Sequence, residues 1–196
     1  IFISNTPTQE EIALFYTAEA AVENDAPQEP LVSEDPEASV GTEAAEAAES
    51  DASQEVLQPI RIYVGSGSGE LTLTEQVSLV VSELKRTGAF ERDVINVATG
   101  TGRGWANENQ ARSLEYLWRG NTATVSVQYS YLPSWMSYLV DSQRAREAGQ
   151  ALFEAVDERV RALPEAKRPK LVVFGESLGA FGGEAPFLAL NNLVAR

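Results

Sequence analysis

Residues 171–187 read LVVFGESLGAFGGEAPF: four large apolar side chains, a Gly-Glu-Ser-Leu-Gly pentapeptide, then small residues and a proline. A short apolar run closed by glycine reads as a buried strand, and the small residues after it as a helix packed close to that strand. The pentapeptide fits G-x-S-x-G, in which a strained strand-to-helix turn lifts a serine hydroxyl clear of the backbone. On this reading Ser177 is a nucleophile and the N–H of Leu178 a donor to the oxyanion that forms when it attacks. Gly175 and Gly179 are then glycine because the strand and helix backbones approach too closely for a β-carbon. The bare pattern turns up by chance in about one chain in fifteen of this length, so its weight comes from the strand before it and the small residues after it. Pro186 limits or kinks the helix.

Upstream of this stretch, short apolar runs alternate with segments of helical period. IRIYV (60–64), VINVA (94–98) and TATVSVQY (122–129) read as strands. Thr72 and Glu75 have the spacing of a capping box, and Val77, Val80, Val81 and Leu84 follow at helical intervals up to the stop at Thr87-Gly88. A second helix is expected from about Asn107 to Arg119, with Ala111, Leu114 and Leu117 or Trp118 inward and Gly120 as the stop. Ala145, Ala148, Leu152, Val156 and Val160 form the apolar stripe of a third. Strands alternating with helices in this way predict an α/β fold, a doubly wound, mostly parallel sheet with helices on its faces. Such sheets bind ligands beyond the carboxyl ends of their strands.

The first 57 residues hold 14 Asp and Glu and no Lys or Arg, whereas the remainder carries 15 acids and 15 bases. The formal charge of −14 is therefore a property of one segment. Residues 24–57, rich in Ala, Pro, Ser and acid with few large apolar groups, read as a disordered solvated linker. Residues 1–23 read as a short segment with a candidate helix start at Thr8 and Glu11, and 58–196 as the folded domain. A charge-neutral domain shows no basic face for nucleic acid. The chain has neither cysteine nor histidine, which removes thiolate metal sites, the commonest metal ligand and the commonest general base together. Neither a metal nor a cofactor is called for. No apolar run reaches the length of a membrane span. Ile1 in place of Met, and a helical pattern still running at Arg196, predict that the protein continues on both sides.

A nucleophilic serine needs a second oxyanion donor, and Gly100, Thr101 and Gly102, after the second strand, are the candidates, because glycines let amides turn toward a ligand. A tight turn between strand and helix accounts for the same residues. Phosphate-cradle readings fail on spacing: a dinucleotide fingerprint starting at Gly65 meets Glu70, one starting at Gly100 meets Trp105, and there is no G-x-x-x-x-G-K-[ST]. Tyr129, Tyr131, Trp135 and Tyr138 form an aromatic segment that would either line a substrate pocket or simply pack.

TGTGRGW (99–105), QYSYLPSW (128–135) and the 171–187 stretch together resemble a family of bacterial multi-pass membrane proteins with a C-terminal α/β-hydrolase catalytic domain. The likeness covers roughly residues 58–196. It implies an α/β-hydrolase-type sheet of which this chain holds the N-terminal half, with Ser177 as nucleophile and the acid and histidine of the triad after Arg196. It further implies a membrane anchor through helices before Ile1, on an unspecified side of the membrane. The partner expected from the nucleophile reading itself is a small-molecule or lipid-like acyl substrate. A non-catalytic binding or structural module on the same fold is the alternative.

Overall fold

The computed structural model describes residues 7–12, 55–65, 71–102, 104–130 and 142–188. The linker expected over 24–57 lies almost wholly outside the described residues. Four strands form one sheet: β1 (Ile60–Val64), β2 (Val94–Thr99), β3 (Thr122–Val127) and β4 (Lys170–Gly175). Their order is β1-β3-β2-β4 and every pair is parallel. The register sets Ile62 beside Val125, Val97 beside Val125 on the other flank, and Thr99 beside Gly175. The helices between them are α1 (Leu73–Arg86), α2 (Glu108–Leu117) and α3 (Ser142–Arg161), and α4 (Leu178–Glu184) follows β4. None of the described helices is long and apolar enough to cross a membrane.

The two faces of the sheet differ in chemistry. Side chains alternate across a strand, and on one face Ile62, Ile95, Val97, Ala123, Val125 and Val127 meet Val77, Val80 and Leu84 of α1 and Leu152, Val156 and Val160 of α3 in a single apolar core. On the other face Arg61, Asn96, Thr122, Thr124 and Ser126 are buried under α2. Arg61 forms a double hydrogen bond with Glu115 of α2 at 2.6 and 2.8 Å, with both side chains sealed from solvent. Asn96 Nδ2 donates to Gln110 of α2 at 2.9 Å and to Thr124 at 3.3 Å. This corrects the inward face expected for α2: Ala111 and Glu115 are its buried residues, while Leu117 is 72% exposed. A helix lying on a polar sheet face buries the residue that pairs with Arg61, because an unpaired buried guanidinium is costly.

Caps fix the helix starts. Thr72 accepts from the Glu75 N–H while Glu75 returns a bond to the Thr72 backbone, the reciprocal pair that starts α1. Thr8 and Glu11 make the same exchange ahead of a helical turn at 9–12. That turn is docked on the domain: Ile12 is fully buried, Gln9 bonds the Val56 carbonyl and Gln58 bonds that of Pro7. β4 flanks β2 and its side chains are only half-buried, where LVVF reads as a fully buried strand. Beside it Phe153, Val160, Leu171, Val173 and Phe187 line a cleft together with Asp157, Arg161 and Arg168. Helix α4 ends at Glu184 and passes into a 3-10 turn, Ala185–Phe187, with Pro186 in its first positions, where a missing N–H does no harm.

Candidate active site

Ser177 occupies the turn between β4 and α4 with φ 55° and ψ −123°. Among the described non-glycine residues only Arg119 shares a positive φ. A β-carbon makes that conformation costly, on the order of 1–3 kcal/mol, and it persists only where the surroundings enforce it. Ser177 stands at the N-cap of α4, yet its hydroxyl makes no capping hydrogen bond and the residue is exposed. Ser177 is thus solvent-exposed beyond the carboxyl end of β4, with its hydroxyl not spent on capping α4. As the first residue of α4, Leu178 has no carbonyl one turn back to receive its N–H.

The glycines of the pentapeptide sit where backbones touch. A β-carbon on Gly175 would run into the Gly179 carbonyl and fall 2.9 Å from the Ala180 nitrogen. On Gly179 it would fall 2.6 Å from the Gly100 carbonyl oxygen and overlap that of Thr99. The backbone at the end of β2 therefore lies directly against α4 at Gly179, two residues from Ser177. The loop leaving β2 is held at several points. The Tyr129 hydroxyl donates to the Gly100 carbonyl at 2.9 Å, and the Tyr63 hydroxyl to that of Gly104 at 2.9 Å. Burial raises the Tyr63 hydroxyl above the ordinary tyrosine range. The Thr101 N–H donates to the Trp105 carbonyl at 2.8 Å, and the Gly104 N–H to that of Thr101 at 2.6 Å. In this conformation the Thr101 amide is committed within the loop.

Residues 60–196 fit a family model described as an alpha/beta-hydrolase family. The chain belongs to that family. No curated protein and no solved structure matches it. For a hydrolase-family chain the candidate active site is the edge where Ser177 and Leu178 follow β4 and Gly100, Thr101 and Gly102 follow β2; the Gly100 carbonyl is the part of that loop seen against the Ser177 turn, at Gly179. Of the expected pocket aromatics, Tyr129 braces the Gly100 carbonyl, while Tyr131 and Trp135 lie outside the described residues. Among the described residues no cluster of three or more His, Cys, Asp or Glu is arranged to hold a metal.

Two features of this hydrolase edge escape a reading of the sequence. Trp105, 43% exposed, follows the loop at the carboxyl edge of the sheet. Asn107, which caps α2, donates from Nδ2 to the Glu176 carboxylate at 2.7 Å. Asparagine ahead of a helical period signals a cap. Nothing local signals a partner 69 positions away.

Proposed function

We propose that this domain is a serine hydrolase acting on an ester or other acyl group of a small or lipid-like molecule. Ser177 Oγ attacks the carbonyl carbon as a base takes its proton, and the oxyanion is held by the Leu178 N–H together with an amide of the Gly100–Gly102 loop. The intermediate collapses to an acyl-serine as the protonated base gives its proton to the leaving alcohol. Water then attacks the acyl-serine, releases the carboxylic acid and restores the hydroxyl. An acceptor other than water would make the same site an acyltransferase. The chain has no histidine, so a histidine base would come from protein outside these 196 residues, and the family resemblance puts its orienting acid there too. Use of the Thr101 amide requires the loop to exchange its bond to Trp105 for one to substrate.

The observation that supports this reading most is the backbone of Ser177, strained at φ 55° with its hydroxyl left uncapped. Strain without a structural partner is the mark of a residue held for chemistry. The test is turnover of activated esters of graded acyl length by the full-length protein. Ser177→Ala should cut kcat by on the order of a thousandfold or more. Unchanged turnover in that variant would remove Ser177 from the mechanism. Binding of the esters without turnover in the unmutated protein would mark a non-catalytic binding domain.

A further inference from the structure

The side-chain amide of Asn107 is used on both sides. Its Oδ1 accepts from the N–H groups of Asn109 and Gln110 at 3.0 and 3.2 Å, and its Nδ2 donates to Glu176 at 2.7 Å. These partners fix the amide's orientation, since a flipped group would set donors against donors and oxygen against carboxylate. The first turn of α2 is itself anchored, because Gln110 exchanges hydrogen bonds with Asn96 of β2 at 2.9 and 3.4 Å. The glycine loop after β2 thus begins under Gly179 and ends at a residue fastened to the position before Ser177.

We propose that Asn107 is a positioning residue for the Ser177 site, clamping the end of the glycine loop to the elbow through Glu176. The proposal rests on the reading of Ser177 as nucleophile. Asn107 touches no reacting atom. It holds the loop amides in one relation to the serine, and it holds the Glu176 carboxylate in one place, where a loose negative charge beside a forming oxyanion would oppose reaction.

Asn107→Asp separates this role from helix capping. Aspartate caps a helix as well as asparagine does, so a residue that only caps would leave activity unchanged. A clamp sets two carboxylates against each other. In the full-length protein, kcat for an activated ester should fall by about tenfold to a hundredfold with KM little changed. Glu176→Gln added to Asn107→Asp rebuilds the bond with its polarity reversed and should recover most of the loss. Wild-type kcat in Asn107→Asp, or a loss that Glu176→Gln does not repair, would overturn the clamp. Should Asn107→Asp fail to fold, Glu176→Ala tests the same bond with the cap intact, and wild-type kcat there would overturn the proposal equally. Turnover surviving in Ser177→Ala would instead sink the serine reading beneath it, a result distinct from failure of the clamp alone.

Discussion

At Ser177 a side chain that would ordinarily cap a helix is held in a conformation that denies it the cap. Glycine adopts the mirror-image β region near φ 55°, ψ −123° without the β-carbon penalty. Ser177→Gly should therefore raise the unfolding free energy by on the order of 1 kcal/mol while abolishing turnover. A destabilised Ser177→Gly in denaturant unfolding would show that the turn is not strained. Tyr63 offers a second check. Its proton is held more tightly in the fold than in the unfolded chain, so its contribution to stability is complete below the ordinary tyrosine value of about 10 and is lost as pH rises through the higher folded value. Ultraviolet titration should show a late-ionising tyrosine component that disappears in Tyr63→Phe. Gly175 and Gly179 were legible as glycines required by close backbones because a motif carries their reason. The Asn107–Glu176 bond was not, since it is made only when two distant loops meet.

At the scale of elements, hydrophobic period located the strands and helices to within two residues at most ends. TATVSVQY reads as a strand, of which β3 takes Thr122–Val127, but the sequence leaves open which of its faces is apolar core and which polar. Period alone puts Leu114 and Leu117 or Trp118 inward beside Ala111. The structure puts Glu115 there, because the sheet face beneath α2 carries Arg61. No apolar-pattern rule anticipates a helix that buries a carboxylate. The pair gives a prediction: Glu115→Ala takes the carboxylate from a buried guanidinium and should cost about 3–5 kcal/mol in denaturant unfolding. Arg61→Met with Glu115→Leu removes both charges at similar volume and should recover most of that. A double variant as unstable as the single one would mean that the pair itself stabilises the α2 contact.

At the scale of the molecule, the order β1-β3-β2-β4 in parallel brings the ends of β2 and β4 side by side. That adjacency gathers Ser177, Leu178 and the Gly100–Gly102 loop at one edge. Alternating strands and helices predicted a parallel sheet but left the strand order open, and the order decides which loops are neighbours. The absence of histidine sets the reach of these 196 residues. A serine hydroxyl depends on a neighbouring base, so residues 1–196 alone should show no serine-directed reactivity, and the full-length protein should. The most direct measurement is fluorophosphonate labelling of both, with the adduct mapped by mass spectrometry. The account predicts a single adduct on Ser177 in the full-length protein, none after Ser177→Ala, and none on the isolated 196-residue chain. A full-length adduct mapped to another residue, or one that survives Ser177→Ala, would contradict it.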